Sequence, residues 1–193
     1  MLVLGYNKSF SEKELFEIMN GEHALDSNSD SPALYVGTYG KYNDGNLFGM
    51  WVDLSTFSDY DEFIDFCREL HKDEADPEFM FQDYQGFPKS WYSECIDEET
   101  FDKILEYAGK DDSEREIWET YLDNVDGKAS FEDAQDRYCG QYDTEEDFAE
   151  EIISDCYPDL PEFALRYFDY AAYARDIFID SFYWLNGFVF HQY

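Results

Sequence analysis

The residues of this chain that could do chemistry are mostly carboxylates. The 193 residues include 46 Asp and Glu against 13 Lys and Arg, which gives a formal net charge of −33. Carboxylates at suitable spacing bind divalent cations, act as general acids and bases, or present negative charge to a basic partner. Even with every Lys and Arg paired, 33 carboxylates would lack a cationic partner. The spacing of the acids has to decide between these uses.

The segment Leu122–Asp133 is the part of the sequence most similar to a calcium-binding loop. Three residues match the third, fifth and sixth positions of an EF-hand loop: Asn124, Asp126 and Gly127. Leu122, however, stands at the first position, where a direct ligand is required, and Asp133 replaces the Glu of the twelfth position. The segment is therefore interpreted as a turn that ends a helix, and no metal site is predicted.

Other catalytic patterns are missing from the sequence. It has no G-x-G-x-x-G after a predicted strand, no P-loop, no G-x-S-x-G and no H-E-x-x-H. Its three histidines, His23, His71 and His191, are scattered. A pair of carboxylates could serve a glycosidase, but among 46 acids some pair lies at almost any separation. The sequence predicts neither an enzyme nor a cofactor.

The cellular context is predicted from the cysteines and the apolar runs. The four cysteines are far apart and form no C-x-x-C, which favours reduced, buried or half-buried thiols in the cytoplasm. No apolar run approaches the roughly 20 residues that span a bilayer, and no basic region resembling a signal peptide precedes the first apolar residues. We expect a cytoplasmic protein that does not enter membranes.

Three predicted helices place carboxylates on one face and apolar side chains on the other. The acidic faces consist of Glu99, Asp102 and Glu106, then Glu116, Glu119 and Asp123, then Asp147, Glu150 and Glu151. The apolar faces consist of Phe101, Ile104, Leu105 and Ala108, then Ile117, Tyr121 and Val125, then Phe148, Ile152 and Cys156. Like charges at this spacing cost a few tenths of a kcal/mol per pair. Their recurrence on three helices indicates a function for the negative field.

These helices belong to a predicted α+β chain of three small domains with an N-terminal extension. The extension covers residues 1–31, with a helix after Ser11 (capping box with Glu14) and a linker at 26–32. A small α+β domain, 32–96, has strands at 33–39, 47–54 and 79–84 and a helix at 59–72. The polar segment Lys41–Asn46, which contains Asp-Gly, predicts a hairpin between its first two strands. A helical domain, 97–136, has helices beginning after Asp97, Ser113 (capping box with Glu116) and Ser130.

The last predicted domain, 137–193, is again α+β. It has a strand at 137–142, a helix from Thr144 to Cys156 and a helical stretch at about 162–176. Its C-terminal hairpin, with strands at 178–185 and 188–193, turns at Asn186-Gly187, which suits the positive φ of a type I′ turn.

The negative charge is spread along the chain. The four segments have net charges of −4, −9, −11 and −9, so none of them is an acidic tail. A direct contact with nucleic acid is not expected, because phosphate binding needs a basic patch. The 39 aromatic residues, 20% of the chain, distinguish it from disordered acidic segments, and we expect it to fold.

The amount of charge can be compared with that of DNA. A two-fold dimer would hold about 66 surplus negative charges, the charge of about 33 base pairs or about 110 Å of duplex. Carboxylates three or four residues apart on a helix are about 5–6 Å from each other, close to the phosphate spacing of one strand. A string of small acidic domains could therefore imitate duplex DNA.

Three stretches of the sequence resemble the antirestriction family ArdA. They are Tyr35–Asp53 (YVGTYGKYNDGNLFGMWVD), Phe81–Pro88 (FQDYQGFP) and Leu160–Ile177 (LPEFALRYFDYAAYARDI), the last followed by a hairpin ending GFVFHQY. The resemblance extends over about 32–193. It implies a DNA mimic that occupies the DNA-binding groove of type I restriction-modification enzymes and so protects incoming mobile DNA.

The resemblance further implies an elongated chain of three small domains that dimerises through the C-terminal one. Residues 1–31 depart from the family pattern, so the resemblance gives them no role. The family's acidic antirestriction motif should fall near Glu151–Asp169, yet Pro158–Asp169 is richer in aromatics than in acids. Four residues there are predicted to form either a dimer contact or part of the core: Leu160, Phe163, Tyr167 and Phe168.

Three other interpretations stay open at this stage. The protein could bind a different basic partner, such as a nucleoid protein or another nuclease. It could use its clustered carboxylates as an enzyme or a calcium protein. Adaptation to high salt also produces acidic chains, and it would make the protein unfold at low ionic strength.

Overall fold

The computed structural model of this protein describes residues 10–192, which form two compact units, the first ending at Lys110 and the second beginning at Asp111. The α-helices are α1 Glu12–Met19, α2 Tyr39–Asn43, α3 Tyr60–Leu70, α4 Glu98–Ala108, α5 Asp112–Asn124, α6 Phe131–Arg137, α7 Glu145–Cys156, α8 Glu162–Leu165 and α9 Tyr170–Asp180. The strands are β1 Ala33–Thr38, β2 Met50–Asp53, β3 Phe79–Gln85, β4 Tyr138–Gln141, β5 Phe182–Leu185 and β6 Phe188–His191. Single 3₁₀ turns occupy Leu54–Thr56 and Lys89–Trp91.

The first unit is built on a three-stranded antiparallel sheet in the order β2-β1-β3. The central strand β1 is almost entirely buried because α3 packs against the sheet through an aromatic core. The Phe63 ring of α3 lies 5.3 Å from that of Phe101 on α4 and 5.7 Å from that of Phe81 on β3. These rings connect sheet, α3 and α4, so the exposed side of α4 is fixed in orientation.

The second unit has its own antiparallel sheet, in the order β4-β6-β5. Strand β6 is central and buried, and its Phe190 ring lies 5.2 Å from that of Tyr121 on α5. On α7, Phe148 packs 4.8 Å from the ring of Phe182. The β5–β6 hairpin turns at Asn186 (φ 55°) and Gly187 (φ 95°), so the predicted Asn-Gly turn is confirmed.

Helix starts follow the capping signals in most places. Ser11, Asp97, Ser130 and Thr144 cap α1, α4, α6 and α7 as predicted. The predicted box of Ser113 with Glu116 is wrong, because Asp111 caps α5 and pairs reciprocally with Glu114. The sequence holds both an S-x-x-E and a D-x-x-E pattern here, and the structure uses the earlier one, which leaves Ser113 inside the helix.

Three further predictions need correction. The helical stretch 162–176 consists of two helices, because the Asp169 side chain accepts a hydrogen bond from the Ala172 N–H (2.9 Å) and starts α9 anew. Helix α9 continues to Asp180, so residues 178–180 are helical and the first hairpin strand begins at Phe182. The predicted hairpin between 33–39 and 47–54 exists as an antiparallel pair, but α2 lies between its strands.

The fold class is mixed α and β, with nine α-helices and two small antiparallel sheets among residues 10–192. The division into three domains with boundaries after residues 31, 96 and 136 stays a prediction. The first nine residues of the predicted extension, and Tyr193 of the predicted hairpin, lie outside the described residues. Every helix in the described range is too short or too polar to cross a bilayer.

Candidate acidic interaction surface

The face of α4 is arranged as its periodicity predicts. Glu99, Asp102 and Glu106 are exposed, while Phe101 and Ile104 are fully buried on the opposite side. Two details differ, since Tyr107 is buried whereas the predicted core residues Leu105 and Ala108 are only half-buried. Glu106 also forms an ion pair with Lys110 at 3.3 Å. Part of the negative charge on this face is therefore neutralised locally.

The predicted acidic face of α5 is exposed in part. Glu116 and Asp123 point to solvent, whereas Glu119 is half-buried. The core side is broader than predicted, because Trp118 and Leu122 are buried beside Ile117 and Tyr121 and Val125 is only half-buried. The Trp118 indole donates to the Ala129 carbonyl at 3.1 Å. This bond and the buried side chains fix which face of α5 meets solvent.

The third face, on α7, holds carboxylates with two kinds of environment. All three predicted residues are exposed, but the Asp147 carboxylate accepts a hydrogen bond from the Thr144 hydroxyl (2.7 Å). The Glu151 carboxylate accepts one from the Tyr142 hydroxyl (2.9 Å), and burial together with this bond raises the pKa of Tyr142 to about 12. Glu150 is exposed beside them. Two of the three acids therefore also have local structural roles.

The core side of α7 differs from the prediction. Phe148 is buried as expected, but Ala149 and Ile153 complete the buried stripe. Ile152 is half-buried and Cys156 is exposed, because the buried stripe is shifted by one residue toward the C-terminus. The four thiols are free, and Cys95 is exposed as well, which corrects the expectation that all four would be at least half-buried.

In the aromatic segment 160–168, two of the four predicted contact residues are exposed and two are half-buried. Phe163 and Tyr167 are 70% and 84% exposed. Leu160 and Phe168 are half-buried, and the Phe168 ring lies 4.9 Å from that of Tyr170. Exposed aromatic side chains of this size are typical of contact surfaces.

A buried cation that the sequence did not reveal lies in the first unit. Lys41 of α2 is 6% exposed, and its Nζ donates to Asp73 (2.8 Å), Glu74 (2.5 Å) and His71 Nδ1 (3.2 Å). The Thr38 hydroxyl also donates to Glu74 at 2.7 Å. The cluster fastens α2 to the chain that follows α3. No sequence signal connects Lys41 with these partners, which are 30 to 33 positions away.

The same cluster contains a set of three possible metal ligands, His71, Asp73 and Glu74. Lys41 Nζ lies within hydrogen-bond distance of all three, so its ammonium supplies the positive charge that balances the carboxylates. The arrangement is an ion-pair cluster around a buried cation, with Glu74 half-buried and Asp73 exposed at its edge. Removing one partner would leave the other charges unpaired.

His71 makes the first unit sensitive to acid. Burial, with a smaller contribution from Lys41, lowers the pKa of His71 to about 4, below the ordinary value of 6.5. The unfolded chain therefore takes up a proton below pH 6.5 while the folded chain resists it until about pH 4. The contribution of His71 to stability is complete above pH 6.5 and is lost as the pH falls toward 4.

We predict that His71→Gln reduces this acid sensitivity. The amide of Gln can accept from Lys41 and donate to the Val36 carbonyl, as the imidazole does, but it does not titrate. Between pH 7 and 5 the parent should lose about 2 kcal/mol more stability than the variant. Urea unfolding at both pH values measures the difference. Equal losses in parent and variant would show that other groups cause the acid effect.

A shallow hollow in the second unit is a further feature that the sequence did not predict. Its volume is about 440 Å³, and it is lined by Asp143, Glu146, Arg175 and Trp184 among others. Trp184 is partly exposed there. An indole beside carboxylates suits contact with a basic side chain, while Arg175 limits the net charge of the hollow.

Together, the described residues define an acidic α+β protein whose helices expose carboxylates over aromatic cores, a class suited to binding a basic partner. A family model described as "Antirestriction protein (ArdA)" matches residues 34–190. The chain belongs to this family, and the resemblance inferred from its sequence motifs is confirmed. The family consists of antirestriction proteins, which are inhibitors rather than enzymes. No curated protein matches the chain.

Proposed function

We propose that this protein is a DNA mimic that competitively occupies the DNA-binding groove of type I restriction-modification enzymes and protects incoming mobile DNA in the cytoplasm. Family membership supports the antirestriction role. The observation that supports the mechanism is the repeated layout of α4, α5 and α7, each of which has exposed carboxylates opposite a buried apolar face. The groove of such an enzyme binds DNA phosphates through Lys and Arg, and the carboxylates of these helices offer it the same negative charge.

The mechanism follows from the number and exposure of the charges. Each exposed carboxylate contributes little alone, because solvent screens a surface ion pair to about 0–1 kcal/mol. Many such contacts together give rapid association that weakens steeply with salt. The protein would need no metal, cofactor or bond-making step, since inhibition requires only that the groove be filled.

A competition experiment tests this function. The protein is titrated against a purified type I methyltransferase core bound to a labelled duplex, and a type I restriction-protection assay in cells runs in parallel. We expect displacement of the duplex that weakens with added salt, and protection of unmodified DNA. Failure to displace the duplex would contradict the proposal and favour another basic partner, such as a nucleoid protein or a different nuclease.

We further propose that the protein is a homodimer through the aromatic segment 160–168 of the second unit. Phe163 and Tyr167 are its most exposed aromatics, and burying them between two copies would remove apolar surface from water. The variant with Phe163→Ser and Tyr167→Ser should have half the parent mass by light scattering. Tyr42→Ser, which removes an exposed aromatic of the first unit, should keep the parent mass. An unchanged mass in the double variant would assign these residues another role.

A further inference from the structure

The segment that precedes β1 has an exposed apolar surface outside the acidic faces described above. The family match begins at residue 34, whereas α1 and a short extended segment, His23–Leu25, come before it. We propose that this part of the chain binds a second protein, and that the partner contributes a basic amphipathic helix to the contact. The inference goes beyond the antirestriction function, because the surface belongs to residues that the family match does not include.

The extended segment is attached firmly to the first sheet. The Leu25 N–H donates to the Trp51 carbonyl at 3.3 Å, so the segment lies along the outer edge of β2. The His23 ring stacks on Phe57 at 4.1 Å, and its Nδ1 lies 2.8 Å from the Thr56 hydroxyl. A surface that is already ordered loses little conformational entropy when a partner binds.

Helix α1 has an apolar face that residues 10–192 do not bury. None of its residues is buried, and Phe16 is 68% exposed. Leu15, Phe16 and Met19 line a hollow of about 390 Å³. Met19 also lines a second hollow, of about 730 Å³, with Leu25 and Trp51. The two hollows share Met19 and Asn20 and form one groove, which is apolar along α1 and at Leu25 and Trp51 and polar at Asp26, Ser27 and Gln85. Its size suits the side chains of a ligand.

Charge decides which occupant fits the groove. Residues 10–31 contain six acids and one Lys, and Glu12 and Asp26 line the two hollows. A second copy of the chain would bring the same acids against them, and an anionic membrane surface would be repelled. A partner helix with Leu-like side chains would fill the apolar part of the groove, and Lys or Arg at its rim would pair with the acidic side chains.

The test uses the full-length protein and a synthetic amphipathic peptide of about 14 residues, with Leu at i, i+3, i+4 and i+7 and Lys elsewhere. A shuffled peptide of the same composition lacks the apolar stripe but keeps the charge. Fluorescence anisotropy at one salt concentration should show about tenfold tighter binding of the amphipathic peptide. Phe16→Ser, and independently Met19→Ser, should remove this preference, whereas Tyr42→Ser should keep it.

Four outcomes would overturn the proposal. The first is equal affinity for the two peptides, and the second is unchanged preference in both α1 variants. A fall in mass on Phe16→Ser would assign the face to a second copy. If the preference for the amphipathic peptide arises only after residues 1–9 are deleted, the occupant of the groove is that part of the same chain. Because Phe16 is exposed, its substitution should leave the circular dichroism spectrum unchanged.

Discussion

Neutralising five exposed acids of the three helical faces is expected to weaken displacement of DNA from a type I enzyme by about 30- to 150-fold. The substitutions are Glu99→Gln, Asp102→Asn, Glu116→Gln, Asp123→Asn and Glu150→Gln. Five surface contacts of about half a kcal/mol each sum to about 2–3 kcal/mol. The other four acids of the faces are left unchanged: Asp147, Glu151 and Glu106 have a structural hydrogen bond or an ion pair, and Glu119 is half-buried. The competition titration measures the effect.

A second variant separates the layout of charge from its amount. It carries Asp30→Asn, Asp44→Asn, Asp61→Asn, Asp76→Asn and Glu78→Gln, five exposed acids of the first unit that are not on the three faces. Both variants have a net charge of −28 by the same count. The control should inhibit within about threefold of the parent, as should Glu150→Gln alone. Equal loss in the two variants would mean that net charge, and no particular surface, governs binding.

The acidic faces could be predicted because they depend on local rules. Helix α4 begins after Asp97, whose side chain accepts a hydrogen bond from the Thr100 N–H. The 3.6-residue period then places Asp102 on the side away from Phe101 and Ile104. The same reasoning was less accurate for α7, where the buried stripe takes Ile153 in place of Ile152. A shift of one residue around a helix is decided by tertiary packing, which periodicity does not contain.

The features that the sequence did not predict depend on distant contacts. His23 is fixed by Phe57 and Thr56, more than 30 residues away, so nothing local indicates that the N-terminal segment adds to the sheet. Lys41 appeared in the sequence as part of a polar turn between two strands. Its burial against Asp73 follows from how α2 meets the end of α3. Such pairings are properties of the folded chain and have no short sequence pattern.

Lys41→Met is expected to destabilise the first unit by about 2–4 kcal/mol. The substitution leaves Asp73 and Glu74 without their cation and His71 Nδ1 without its donor. Breaking a fully buried ion pair costs about 3–5 kcal/mol, and the loss here is set lower because the two carboxylates keep some exposure to water. Hydrogen exchange of the β1 amides in urea reports on this unit separately from the second.

Two comparison variants decide whether unpaired charge is the cause. Lys13→Met removes an exposed Lys whose ion pair with Glu17 is solvated, and it should cost less than about 0.5 kcal/mol. Adding Asp73→Asn and Glu74→Gln to Lys41→Met removes the orphaned negative charges and should restore about half of the lost stability. If the triple variant is no more stable than Lys41→Met, the loss comes from the missing side-chain packing of Lys41, and the cluster's electrostatic role is disproved. Because total stabilities are about 5–15 kcal/mol, a loss of this size is a large fraction of the stability that keeps β1 and β2, and with them the N-terminal segment, folded.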